Sequence, residues 1–153
     1  MMVNIRSLNE VWVSGRGWQY QAGFLIPVAT IFSIWINDTM AYITGSLIGK
    51  TPFSKISPKK TIEGTAGGAI LCVVTMGLLA YFLQLKVMEI AVIAAIAAIA
   101  GTVGDLLESK LKRMAGVKDS GHFMPGHGGF LDRFDSLLLA TPVVWLYTML
   151  ITT

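Results

Sequence analysis

Five aspartates stand out because the sequence around them gives a charge little reason to be there. Asp38 interrupts IFSIWINDTMAYITGSLIGK, Asp105 follows two glycines in GTVGDLLESKLKRM, and Asp119, Asp132 and Asp135 punctuate KDSGHFMPGHGGFLDRFDS. Carboxylate oxygens with no accompanying thiolate favour a hard cation such as Mg2+. Asp132 and Asp135, three residues apart, would project from one side of a helical turn. A carboxylate at a helix start is also favoured by the helix dipole, which accounts for one of the two more readily than for both. Asp105, Asp132, Asp135 and Asp119 are expected to converge at one mouth, with Asp38 deeper inside. Glu108 and Lys112 share a helical face with Asp105; if the helix leaves the membrane here, all three are ordinary interfacial charges. His122 and His127 lack soft partners, so phosphate contact or proton transfer suits them better than zinc.

A second polar stretch, GKTPFSKISPKKTIEGTAGG, reads as an anion site. Ser57-Pro58 suits a turn and Thr61 suits the N-cap of a following helix. Lys59 and Lys60 immediately precede that helix start, where free backbone N–H groups and the positive dipole end favour a polyanion. Gly64, Gly67 and Gly68 leave room for one. The plainer reading is a cationic loop with an ordinary cap.

The elements that must carry these groups are apolar. The 153 residues are 54% hydrophobic and 14% charged, with a mean hydropathy of +0.64; a soluble domain carries about 25% charged residues. Ala66–Leu85 and Ser136–Thr153 contain no charge, Ile90–Gly104 contains none, and Gly17–Gly49 contains only Asp38. A bilayer crossing needs roughly 20 apolar residues. The expected fold is therefore all-α and polytopic, with about four crossings near 22–48, 65–85, 88–110 and 135–152 and two polar loops. Residues 1–21 are expected to form an interfacial or exposed arm, with Trp12, Trp18 and Tyr20 suited to the headgroup level, and 22–153 one membrane-embedded domain. The N-terminal stretch lacks the compact apolar core and cleavage site of a signal peptide. Cys72, alone in an apolar run, supports neither a disulfide nor a zinc site.

Nine of the twelve Lys and Arg residues fall in the loops after the first and third crossings. That bias places both loops in the cytosol and both chain ends outside. Asp38 lies eleven residues from Gly49, roughly 16 Å along a helix, near the middle of a hydrocarbon core of about 30 Å. A charge at that depth costs at least about 2.5–3.5 kcal/mol, so Asp38 is expected to face a protein interior or a wet cavity. A Mg2+-type carboxylate set and a polyphosphate cradle on one membrane face suggest nucleotide chemistry on a lipid.

The run SKLKRMAGVKDSGHFMPGHGGFLDRFD, from Ser109 to Asp135, resembles the signature of the phosphatidate cytidylyltransferases, or CDP-diacylglycerol synthases. The matching positions are Ser109, Lys112-Arg113, Lys118-Asp119, Pro125, His127-Gly128-Gly129 and Asp132-Arg133-Phe134-Asp135. NDTMAYITGSLIGK and SPKKTIEGTAGG are similar to further segments of that family, and the likeness spans roughly residues 24 to 150. It implies an enzyme of phospholipid synthesis that joins CTP to phosphatidic acid with Mg2+, giving CDP-diacylglycerol and pyrophosphate. By position it implies Asp105 and Asp132 as metal ligands, with Asp119 and Asp135 beside them. Ser57, Lys59, Lys60 and Thr61 would hold phosphates, and Asn37 and Asp38 would line the cavity, with room there for a second cation. His127 and Arg133 would touch a phosphate of either substrate, and Lys112, Arg113 and Lys118 would join the substrate-binding set. The implied location is a bacterial cytoplasmic membrane with the site facing the cytosol, and no nucleic-acid partner is expected. Family members carry further helices ahead of this region, so the chain corresponds to the C-terminal catalytic half. Expected associations are a homodimer through the small-residue run AVIAAIAAIAG, or a partner chain supplying the missing helices. The rival readings are an inactive or partner-dependent membrane subunit, a CTP-dependent lipid kinase and a small ion-conducting bundle. The acid spacing of the CDP-alcohol phosphotransferases is absent.

Overall fold

The computed structural model describes residues 2, 5, 11–13, 19–54, 57, 60–117 and 131–152, with backbone only at 11–13, 19, 20, 131–133 and 152. Four long helices dominate: α1 (Ala22–Ile48), α2 (Ile62–Phe82), α3 (Val87–Met114) and α4 (Leu131–Thr152). Each contains a stretch long and apolar enough to cross a membrane, over Ala22–Ile48, Ile62–Phe82, Val87–Met114 and Phe134–Ile151. The expected crossings are thus present, with α2 beginning three residues earlier and α3 running four residues further than the apolar pattern suggested. Two three-residue strands, β1 (Val11–Val13) and β2 (Gln19–Gln21), pair antiparallel ahead of α1. Of the N-terminal residues, those described include two that pack against the helices. Ile5 is fully buried and joins Ile26, Met76, Ile93 and Val144 in the core, with Met2 packed against them.

Small residues decide how closely the helices approach. A Cβ on Gly64 would lie 2.7 Å from the Gly45 Cα and 2.8 Å from the Ala41 carbonyl, and one on Gly68 would lie 2.7 Å from the Ala41 Cβ. Ala41/Gly45 on α1 and Gly64/Gly68 on α2 therefore form matched small-residue pairs at i, i+4. In lipid, where apolar surface gains little by leaving the bilayer, such close van der Waals contact is what holds helices together. The pairing of α3 with α4 repeats the device: a Cβ on Gly104 would meet the Asp135 carbonyl at 2.7 Å. The alanine run of α3 is likewise consumed inside the bundle, with Ala94, Ala97 and Ala98 buried against the chain's own helices.

Several polar groups inside the bundle are satisfied locally. Thr30 and Ser33, both fully buried, donate to the carbonyls of Ile26 and Ala29 one turn back, and the Cys72 thiol donates to the Ser33 carbonyl at 3.1 Å. Cys72 is thus a small packed side chain. The connection from α2 to α3 is a tight C-terminal cap. Gln84 takes a φ of 53° while its N–H bonds the Tyr81 carbonyl and the Leu85 N–H bonds the Ala80 carbonyl. Gly116, with a φ of 71°, closes α3 in the same way through Arg113 and Lys112 carbonyls. Both are Schellman closures, which need one residue in the left-handed region.

Candidate active site

The loop between α1 and α2 is pinned at both ends. Thr51 accepts from the Ile62 N–H at 3.0 Å, Lys60 accepts from the Phe53 N–H at 2.7 Å, and Pro52 and Thr61 form an antiparallel bridge. The Glu63 carboxylate receives the N–H groups of Lys50 and Thr51 at 3.2–3.3 Å. Thr61 caps α2 by accepting from the Gly64 N–H at 3.1 Å, as its position before the helix led us to expect. This staple fixes the backbone from which Lys60 departs.

Lys60 crosses the bundle to form an ion pair with Asp105 on α3. Around that pair lies a cavity of about 530 Å³, a size within the range of small-molecule sites. Asn37, Asp38, Lys60, Thr61, Asp105 and Asp135 line it, together with Tyr42, Ser46, Thr65, Thr102 and Ser136. Three carboxylates thus reach one space from α1, α3 and α4, and one ammonium reaches it from the loop before α2. Burial pushes the Lys60 ammonium below the usual lysine range, and the charges of Asp38 and Asp135 oppose that shift. Asn37 is 4% exposed; its amide donates to Asp38 at 3.5 Å, while its buried Oδ1 has no hydrogen-bond partner among the described residues. A buried acceptor left without a donor is costly, and this one lies in a cavity wall.

Helix contacts set the registry of these groups. Gly101 and Gly104 allow Ser136 and the Asp135 backbone to lie against α3, one residue from Asp105. On the other side, the Ala41/Gly45 contact with Gly64 and Gly68 brings the start of α2, and hence Lys60, against the half of α1 that carries Asn37 and Asp38.

Of the residues singled out in the sequence, the structure gathers Asn37, Asp38, Lys60, Thr61, Asp105 and Asp135. Ser57 lies in the loop and accepts from the Lys60 N–H through its carbonyl, away from the cavity lining. Lys112 pairs with Glu108 at 3.2 Å one turn further along α3, and Arg113 is exposed; neither lines the cavity. Asp132 and Arg133 belong to the first turn of α4, described in backbone only. Lys59, Lys118, Asp119, His122 and His127 fall outside the described residues. Among the described residues, no three His, Cys, Asp or Glu side chains cluster closely enough to hold a metal on their own. Mg2+ sites commonly use one or two carboxylates completed by waters and substrate phosphates, and the Asp38, Asp105 and Asp135 carboxylates lining this cavity are hard oxygen donors that fit such an ion.

Sequence reasoning missed Glu63, although an acid in the first turn of a helix is a helix-start signal. It also missed Ser136 and Thr102, which no local pattern marks. The Lys60–Asp105 pair joins positions 45 residues apart and had no sequence signal.

The sequence from residue 14 to 151 matches the model of the cytidylyltransferase family. A phosphatidate cytidylyltransferase of Synechocystis is 43% identical over 138 residues, covering 86% of this chain and 46% of that relative. One of Bacillus subtilis is 41% identical over 115 residues, covering 73% and 43% respectively. The chain thus spans less than half the length of these curated relatives. Among solved structures, an intramembrane enzyme for archaeal membrane lipids biosynthesis superposes with a TM-score of 0.54 at 24% identity, covering 76% of this chain and 77% of that one; the likeness is one of fold.

Proposed function

The chain belongs to the cytidylyltransferase family, and we propose that it transfers the cytidylyl group of CTP to phosphatidic acid, giving CDP-diacylglycerol and pyrophosphate. One observation carries this reading: carboxylates from three membrane-crossing helices and a lysine from a fourth element share one cavity. The relatives named phosphatidate cytidylyltransferase support it.

In this reading a phosphate oxygen of the lipid attacks the α-phosphorus of CTP, and the bond to the β-phosphate breaks to release pyrophosphate. The nucleophile is already an anion, so no serine or cysteine need be activated. The obstacle is repulsion between two polyanions, and positioning with electrostatic stabilisation is the main resource against it. Mg2+ held by Asp105 and Asp132 would screen phosphate charge and stabilise the leaving group. Asp135 and Asp119 would support that pair. Lys60, with Lys59, would receive phosphate oxygens beside the start of α2. Thr61 keeps that helix start in place, and Asn37 and Asp38 form the deep wall of the site. His127 and Arg133 would meet a phosphate. We assign the cavity mouth to the cytosol, because the described cations Lys50, Lys60, Lys112 and Arg113 follow the cavity-lining stretches of α1 and α3 or lead into α2, a bias expected of cytosolic ends, and CTP is a cytosolic solute.

The test uses membranes containing the chain, labelled CTP, phosphatidic acid and Mg2+. CDP-diacylglycerol should form and should fall at least about a hundredfold in Asp105→Asn and Asp132→Asn, as expected when transition-state charge stabilisation is removed. A folded chain that makes no product would refute the reading for this chain alone. Product appearing only after a partner chain is added would establish a partner-dependent subunit.

A further inference from the structure

Lys60 occupies an unusual place for a phosphate-binding lysine. Its ammonium does not point to the loop surface; it is paired to the Asp105 carboxylate, with Asp38 and Asp135 close enough to act on its charge. A cation therefore already sits among carboxylates from α1, α3 and α4. Its tether is long enough to matter: four methylenes with rotatable bonds let an ammonium swing several ångströms without moving the pinned backbone at Lys60. Beside it, the orphaned Asn37 Oδ1 adds an acceptor with no donor among the described residues.

A divalent ion on Asp105 and the Lys60 ammonium on the same carboxylate would be like charges a few ångströms apart. In a cavity of low effective dielectric that repulsion is strong. The two cannot share Asp105 at full strength. Nucleotide and lipid phosphates, once bound, would offer the ammonium an equally good anionic partner on the other side of its arc.

We propose that Lys60 is an exchangeable counter-ion: it neutralises Asp105 before substrates arrive, is displaced from that carboxylate by the divalent ion, and then engages phosphate. The proposal rests on the divalent-ion reading given above. It makes the free site resistant to charging by stray metal and couples metal capture to nucleotide capture. Metal loading without nucleotide takes the Asp105 partner from the ammonium, whereas loading with nucleotide supplies a phosphate in its place.

The probe is Mn2+ alone, followed by its electron paramagnetic resonance on the full chain in detergent, with and without CTP. Lys60→Gln and Lys60→Met should each bind Mn2+ on the order of tenfold more tightly than the parent chain when CTP is absent, since a competing unit charge is gone. With CTP present that advantage should shrink or reverse, because the phosphates lose their lysine. Lys60→Arg, which keeps the charge, should stay within about twofold of the parent. Unchanged or weaker Mn2+ binding in Lys60→Gln and Lys60→Met, while Asp105→Asn loses it, would overturn the exchange and leave the divalent-ion reading standing. A folded parent chain with no Mn2+ binding in either condition would overturn both. Should the neutral variants fail to elute as a single species, Lys60→Arg decides: tighter Mn2+ binding there refutes the exchange.

Discussion

Replacing Gly104 with alanine tests whether the α3–α4 contact sets the active-site geometry. The added Cβ would lie 2.7 Å from the Asp135 carbonyl oxygen and 3.3 Å from both the Ser136 Cα and the Leu139 Cβ. None of these is the free end of a flexible side chain. Relaxing the closest contact from 2.7 Å to the 3.4 Å of ordinary packing moves α4 away from α3 by about 0.7 Å. Overpacking of this kind costs about 1–3 kcal/mol, offset by about 1 kcal/mol of helix propensity, leaving a loss of about 0–2 kcal/mol. The larger effect is on chemistry, because Asp105 and Asp135 sit on either side of the widened contact. Misplacement by about 1 Å can cost on the order of a hundredfold in rate, so under the proposed activity CDP-diacylglycerol formation should fall between about tenfold and a hundredfold. The assay is product formation from labelled CTP in membranes, with thermal unfolding of the same protein in detergent. Gly77→Ala is the control: nothing lies within 4 Å of its added Cβ, so the variant should match or exceed the parent in stability and retain activity. Parental melting and turnover in Gly104→Ala, or an equal loss in Gly77→Ala, would refute the reasoning.

Two further outcomes follow from local geometry. Gln84→Gly should raise stability by roughly 1 kcal/mol, because Gln84 holds a left-handed φ of 53° at the α2 closure and a side chain there costs about that much; a lower unfolding midpoint would contradict it. Thr61→Ala should cost about 1 kcal/mol through the lost cap to Gly64 and weaken apparent CTP affinity by slackening the Lys60 backbone, while Thr61→Ser restores both; equal melting of Thr61→Ala and the parent would argue against the cap.

The four crossings were legible because an apolar run of sufficient length is a local property, and the bilayer sets that length. Asp38, Asn37 and Asp105 were conspicuous for the same reason: charge and amide stand out against lipid-compatible neighbours. Thr61 announced its capping role through position alone. What the sequence left open was partnership. Matched small residues on α1 and α2 bring Lys60 to the wall that holds Asp38, and Gly104 brings Asp135 beside Asp105. Lys112 and Arg113, equally prominent as a motif, lie outside that cavity because α3 continues past it to Met114. Hydrophobicity and length, each summed along the chain, determined how many helices there are and which residues sit uneasily in them. Only packing between helices decided which of those residues meet, since close van der Waals contact depends on two surfaces and a single stretch of sequence specifies just one.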